Sequence, residues 1–112
     1  MKGTNLGEFQ ELVLLTIGAL YPEAYGVGIK EEIKARTGRG VTLSTVHAAL
    51  NRMEKKGLIK SELGEATSIR GGKRKRYFTI TSYGVKVLSD VKAQREALWN
   101  SIPDIVFKAQ FS

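Results

Sequence analysis

Two helical patterns lie next to each other in the middle of the chain, and a short connector joins them. In the first, over about residues 25–37, Ile29 and Ile33 form an inner face, and Gly38 follows as a residue suited to the end of a helix. The second has apolar residues at i, i+3, i+4 and i+7, namely Val46, Ala49, Leu50 and Met53. Because only Arg39–Val41 separates the two patterns, they predict a helix-turn-helix motif.

The second of these helices, expected over residues 43–56, has clear end signals and a distinctive polar face. Thr42 or Ser44 can cap its N-terminus, and Gly57 can end it. Short polar residues precede longer basic residues on the face away from the core: Ser44, Thr45, His47, Ala48, Asn51, Arg52 and Lys55. A recognition helix places its N-terminal residues against base edges in the major groove, where Asn51 can bind adenine or a phosphate. The alternative is an ordinary solvent-facing stripe, but such a stripe usually carries more Glu.

A long basic segment follows between two strand patterns. Leu58–Leu63 and Arg76–Thr81 alternate apolar and polar residues, and residues 64–75 between them are too many for a tight turn. From Arg52 to Arg76 there are nine Lys or Arg against three Glu, in a chain of net charge +7. This concentration predicts a basic wing near residues 64–76 whose side chains meet phosphates or enter the minor groove, with a solvated charged face as the alternative.

The first and last helical patterns carry more apolar surface than one core contact requires. The first, capped by Asn5 and ended by Tyr21-Pro22, is apolar on two faces, so one face can meet the core and the other a partner subunit. The last begins at Thr81 or Ser82, and Pro103 ends or kinks it. Its coiled-coil-like seam repeats in steps of four and three residues: Gly84, Leu88, Val91, Arg95, Leu98 and Ile102.

Several classes of protein are disfavoured by what the composition lacks. The chain has no cysteine, so it has no disulfide framework, thiolate metal site or cysteine nucleophile. His47 is the single histidine, and no paired carboxylates or nucleophile–base set support an enzyme. No apolar run reaches the roughly 18 residues of a membrane span, and no signal-peptide pattern is present. We therefore expect a cytoplasmic protein without a cofactor or a metal, which does not bind a membrane.

Three stretches resemble the PadR family of bacterial transcriptional regulators: Ala24–Ile29, Thr45–Ile59, and Gly71–Thr81 with Gly84 following. The resemblance implies a dimeric winged-helix repressor that binds an inverted-repeat operator. It also implies that the last helix packs with the first to form the dimer interface.

The resemblance further assigns roles to individual residues. By position, Tyr25 would touch a phosphate, Thr45 and His47 would face DNA, and the wing contacts would be Lys73, Arg74 and Lys75. This sequence has Val46-His47-Ala48 where the family usually has Leu-Tyr-Pro, so His47 would replace a tyrosine contact. If His47 binds as a cation, affinity would fall as pH rises through its pKa.

The chain lacks a long C-terminal helical domain and so resembles the short members of the family. Some of these bind flat aromatic compounds between two subunits, sandwiched by a tryptophan from each terminal helix. Trp99 lies on the terminal helix here, although a core or interface role is the alternative.

These observations predict a mainly α fold with a two-stranded β wing. Residues 1–81 would form a winged helix-turn-helix DNA-binding domain, and residues 82–112 a C-terminal dimerisation helix and tail. The expected partners are double-stranded DNA, a second copy of the chain and a small aromatic effector.

The expected DNA-binding residues are Tyr25, Ser44, Thr45, His47, Asn51, Arg52, Lys55, Lys73, Arg74 and Lys75. The expected dimerisation residues are Leu88, Val91, Arg95, Leu98 and Ile102. The alternative function is a winged-helix module that binds protein or RNA, which would differ in salt dependence and sequence preference.

Overall fold

The computed structural model describes residues 6–64 and 74–111, and this part of the chain forms five helices and two strands. The helices are α1 (Glu8–Ala19), α2 (Gly26–Thr37), α3 (Leu43–Lys55), α4 (Ser82–Asn100) and α5 (Asp104–Phe111). The strands are β1 (Ile59–Leu63) and β2 (Arg76–Ile80). The predicted fold class, mainly α with a two-stranded β wing, is confirmed.

The ends of α2 and α3 are set by local signals that the sequence displays. Gly38 follows α2 with φ 74°, and Gly57 follows α3 with φ 80°. Residues with a Cβ seldom adopt this left-handed backbone conformation. Of the two candidate caps of α3, Thr42 is the one used, because its hydroxyl accepts a hydrogen bond from the Thr45 backbone N–H at 3.1 Å. The helix-turn-helix therefore has the predicted boundaries.

The start of α1 differs from the prediction. Gly7, not Asn5, is the N-cap residue, and its carbonyl accepts the first helical hydrogen bond from the Glu11 N–H at 2.9 Å. No side chain caps this end of the helix. The Glu8 carboxylate binds the Arg39 guanidinium at 2.8 Å. The predicted cap at Asn5 was wrong, because the carbonyl that accepts the first helical hydrogen bond is that of Gly7.

The core lies where α1, α2, α3 and the sheet meet. Its fully buried large side chains are Val13, Leu14 and Ile17 of α1, Ile29 and Ile33 of α2, Val46, Leu50 and Met53 of α3, and Leu58 and Ile59. Each such side chain contributes roughly 1.5–3 kcal/mol through removal from water. Together they fix α3 with its polar face outward.

The sheet connects the wing to α2 as well as to α3. β1 and β2 are antiparallel, with Ile59 opposite Ile80 and Leu63 opposite Arg76. On its other edge, β2 receives Ala24, whose carbonyl accepts a hydrogen bond from the Phe78 N–H at 2.8 Å. Ala24, which precedes the N-cap residue of α2, is therefore tied to the centre of β2.

α4 begins on the core and then leaves it. Its N-cap, Thr81, accepts the Gly84 N–H through its hydroxyl and donates that hydroxyl to the Gly57 carbonyl at 2.6 Å. Within α4 only Gly84 and Val87 are buried, and the helix extends away so that the described chain is 60 Å long in its longest dimension. Pro103 separates α4 from α5 rather than kinking one continuous helix. No helix in residues 6–64 or 74–111 is long and apolar enough to cross a membrane.

Candidate nucleic-acid interface

The outward face of α3 presents all the residues that the sequence predicts for it. Val46, Ala49, Leu50 and Met53 are buried on the opposite side. The exposed residues are Ser44, Thr45, His47, Asn51, Arg52 and Lys55. Because α3 is fixed by its apolar face, these side chains are held together on one exposed surface of the helix.

Three hydroxyl groups converge at the N-terminal end of α3. The Thr42 Oγ1 lies 2.8 Å from the Thr45 Oγ1 and 3.1 Å from the Ser44 Oγ. The sequence indicates Thr42 as a cap but does not predict that it also orients Ser44 and Thr45. The result is a set of short donors and acceptors at the N-terminus of α3, where the helix dipole favours negative charge.

His47 is exposed, and one side of its ring packs against α2. A Cβ on Gly26 would lie 2.9 Å from the His47 Cε1, so the imidazole packs on the first residue of α2. The sequence places His47 on the polar face, and the structure adds that α2 supports it from behind.

Tyr25 and Lys75, predicted from separate parts of the sequence, are in contact. The Lys75 Nζ lies 4.2 Å from the centroid of the Tyr25 ring. The Tyr25 ring also makes a T-shaped contact with Tyr77, with centroids 6.1 Å apart and planes at 79°. Tyr77 was not predicted as a site residue, although its position next to buried Phe78 on β2 puts it on the opposite face of the strand.

The base of the wing has further polar connections. The Arg74 Nε donates to the Gly64 carbonyl at 2.7 Å. The Arg76 guanidinium donates to the Ser61 hydroxyl at 3.1 Å, and that hydroxyl donates to the Glu54 carboxylate of α3 at 2.8 Å. Arg74, Lys75 and Arg76 are exposed. Lys73, also predicted as a wing contact, lies outside the described residues.

Four of the predicted dimerisation residues lie on α4, whereas Ile102 follows the end of the helix, and their exposure is unequal. Leu88, Val91 and Ile102 are half-buried, whereas Leu98 is 71% exposed. Next to it, Trp99 is 62% exposed and packs on Phe107 of α5, with ring centroids 5.3 Å apart.

A groove of about 550 Å³ separates α1 from α4 beside these residues. Its lining is Glu11, Leu15, Val85, Leu88, Ser89, Lys92, Arg95, Glu96 and Trp99. The Arg95 guanidinium binds the Glu11 carboxylate at 2.7 and 3.2 Å. This hydrogen bond and the charge of Glu11 raise the pKa of Arg95 above its ordinary value. Arg95, the polar residue of the predicted seam, is therefore paired with Glu11 of its own chain. The sequence does not single out Glu11.

Comparison with known proteins decides the family. Residues 12–90 match the model of the transcriptional regulator PadR-like family. The chain belongs to the PadR-like family. This is a family of transcription factors with a DNA-binding winged-helix fold. The PadR-like chain is therefore a transcriptional regulator, and its partner is DNA. The comparison with curated proteins gives no match.

Solved structures of PadR-family regulators share the fold. One from Clostridium difficile is 25% identical, with a TM-score of 0.72 over 89% of this chain and 99% of that one. One from Eggerthella lenta is 29% identical, with a TM-score of 0.65 over 94% and 88% of the two chains. A PadR-like regulator from Bacillus cereus is 22% identical, with a TM-score of 0.69 over 88% and 90%. Each alignment covers at least 88% of this chain, so the PadR-like fold extends over nearly the whole chain.

Proposed function

We propose that this PadR-like protein is a homodimeric repressor that binds an inverted-repeat operator through α3 and the wing. The observation that carries the proposal is at the start of α2. Tyr25 contacts Lys75 of the wing, and the next residue, Gly26, contacts His47 of α3. Two consecutive residues thus join the wing and α3 into one continuous polar and basic surface.

Each part of this surface has a distinct role in the proposed complex. Ser44, Thr45, His47 and Asn51 lie on the part of α3 that enters the major groove and meet base edges there. Arg52 and Lys55 on the same helix, with Lys73, Arg74 and Lys75 of the wing, meet phosphates or the minor groove. Tyr25 stands between the two sets, beside a phosphate.

The proposed dimer interface is the apolar side of α1 and α4, built on the predicted seam of Leu88, Val91, Arg95, Leu98 and Ile102. Leu15 is 49% exposed, Val85 52% and Trp99 62%, although all three are large apolar side chains that line one groove. A second copy would remove this surface from water, which favours association. A two-fold axis between the copies would present two α3 helices to two half-sites, which is the symmetry of an inverted repeat.

We further propose that a planar aromatic compound binds in the α1–α4 groove of the dimer, stacks on Trp99 and weakens operator binding. The groove is mainly apolar and Trp99 is accessible from it. The fluorescence anisotropy of a planar dye measures binding to the groove. The affinity for the dye should fall in Trp99→Ala and persist in Tyr83→Ala, which alters an α4 aromatic outside the groove lining. Retained dye affinity in Trp99→Ala would argue against the pocket.

Selection of binding sequences from a random duplex library tests the DNA-binding proposal. We expect an inverted repeat to be enriched and to bind at least about a thousandfold more tightly than random duplex. Light scattering should give the mass of a dimer, and a reporter gene behind the selected site should be repressed. Enrichment of no inverted repeat would overturn the operator, and a monomer would overturn the dimer.

A further inference from the structure

We propose that the ring of Tyr25 is a positioning group that holds the Lys75 ammonium where it meets a DNA phosphate. This inference rests on the proposed DNA-binding function and adds a role for the aromatic ring itself, apart from any contact through the Tyr25 hydroxyl.

The backbone of Tyr25 is fixed on both sides. Tyr25 is the N-cap residue of α2, and its carbonyl accepts a hydrogen bond from the Ile29 N–H at 2.8 Å. The preceding residue, Ala24, is completely buried and hydrogen-bonded to Phe78 of β2. The ring therefore leaves a point of the backbone that is anchored to both α2 and the sheet.

The ring is also held along its faces and edge. A Cβ on Gly28 would lie 3.1 Å from the Tyr25 Cε1, so the ring lies directly over α2 where there is no side chain. Tyr77 meets the ring edge-on, and Tyr77 in turn packs so closely on Gly64 that a Cβ there would be 2.5 Å from its ring. The Tyr25 ring is thus a rigid platform at the base of the wing.

Lys75 rests on this platform with its backbone secured. Its carbonyl accepts a hydrogen bond from the Gly64 N–H at 2.7 Å, and its Nζ lies 4.2 Å from the ring centroid. A cation within about 6 Å of an aromatic centroid is attracted by the ring quadrupole. The ammonium group has three donors, so contact with the ring leaves donors for a phosphate. Restricting a long, flexible side chain before binding reduces the entropy that binding must remove.

A contact made only by the Tyr25 hydroxyl leads to a different expectation. Tyr25→Phe removes the hydroxyl and keeps the ring, whereas Tyr25→Leu removes the ring. If the ring positions Lys75, Tyr25→Phe should bind DNA clearly more tightly than Tyr25→Leu, whatever the hydroxyl itself contributes. If the hydroxyl alone matters, the two variants should lose affinity equally.

A double-mutant cycle on a labelled mixed-sequence duplex measures the coupling, because phosphate contacts do not require an operator. We expect Tyr25→Leu to bind about fivefold more weakly than Tyr25→Phe. In the Lys75→Gln background this difference should vanish, because the ring has no ammonium left to position, and Tyr83→Leu serves as the aromatic control. A fivefold difference that persists between Tyr25→Leu/Lys75→Gln and Tyr25→Phe/Lys75→Gln, or an equal loss in Tyr25→Phe and Tyr25→Leu, would overturn the proposal.

A second measurement does not depend on the folding of Tyr25→Leu. In the free protein, the side-chain methylene protons of Lys75 should show upfield ring-current shifts in both wild type and Tyr25→Phe. Ordinary shifts in the wild type would overturn the contact. If the wild type shows these shifts but no salt-dependent DNA affinity, the proposed function fails rather than the contact between Tyr25 and Lys75.

Discussion

Gly84 of α4 lies so close to the carbonyl oxygen of Leu58 that a Cβ at position 84 would be 2.1 Å from that oxygen. The atom in the way belongs to the backbone and cannot rotate aside. Thr81 binds the same short stretch, since its N–H donates to the Leu58 carbonyl at 3.1 Å. α4 is therefore joined to the α3–β1 junction by backbone contact that only glycine permits.

Gly84→Ala should lower the free energy of unfolding by about 1–3 kcal/mol or more, because the new methyl group forces the two backbones apart. Urea unfolding followed by circular dichroism measures the change. Gly40→Ala is the matched control, since a Cβ on Gly40 meets nothing within 4 Å. Equal stability of the two variants would contradict this packing.

Lys75→Ala should weaken binding to all DNA sequences alike and reduce the slope of log affinity against log salt by about one unit. The physical reason is that one fewer phosphate is neutralised and fewer counterions are released. Titrations at several salt concentrations give the slope. Lys86→Ala on α4, where Lys86 pairs with Asp90 at 3.2 Å, should leave the slope unchanged. An unchanged slope for Lys75→Ala would remove Lys75 from the DNA contact.

Asn51→Ala should cost on the order of 1–3 kcal/mol of operator affinity and relax the preference at one base position. Asn51 is exposed on α3 and its amide can both donate to and accept from a base. Repeating the sequence selection with the variant shows whether one position has lost its preference. Gln94→Ala alters an exposed amide on α4 and should keep the original site, whereas a uniform loss for Asn51→Ala would indicate a phosphate contact instead.

Arg95→Met should lower the melting temperature, because it leaves the Glu11 carboxylate, which is only 15% exposed, without its partner. The Glu11→Met/Arg95→Met variant should recover part of the loss. Lys86→Met breaks an exposed pair with Asp90, outside the groove lining, and should change little. A double variant less stable than Arg95→Met would contradict this account.

The pH dependence of the same pair follows from the direction of its pKa. The pKa of Arg95 is raised in the folded protein by the hydrogen bond and charge of Glu11. A group with a raised pKa stabilises the fold below its unfolded pKa and loses that contribution only as pH rises through the folded value. The stabilisation by Arg95 should therefore be constant through neutral and mildly alkaline pH, as melting curves at several pH values can check.

The sequence predicts elements whose signals are local and misses contacts between distant residues. Gly38 and Gly57 mark the ends of α2 and α3 because positive φ is a property of one residue, and the i, i+3, i+4 spacing on α3 gives its two faces directly. The strands were predicted slightly long: Leu58 follows the turn at Gly57, and Thr81 is used to cap α4.

The candidate site also combines residues that local patterns predict with contacts between distant residues that they do not predict. Exposure of Asn51 or Lys55 follows from the helical period, but the support of His47 by Gly26 depends on how α2 crosses α3. The pairing of Arg95 with Glu11 joins residues 84 positions apart, so no pattern along the chain predicts it. The contact between Tyr25 and Lys75 likewise depends on the pairing of Ala24 with β2, which is a single bridge outside the predicted strands.

That bridge also bears on how copies of the protein can meet. An open strand edge is a template on which another chain can add a strand, and this is a common route to aggregation. Phe78, the central residue of β2, faces Ser61 of β1 on one side and Ala24 on the other, so an incoming strand finds this position occupied. The outer edge of β1 is five residues long and carries Lys60 and Glu62, which discourage strand addition. The sheet of the winged helix thus leaves an incoming strand little free edge on which to pair.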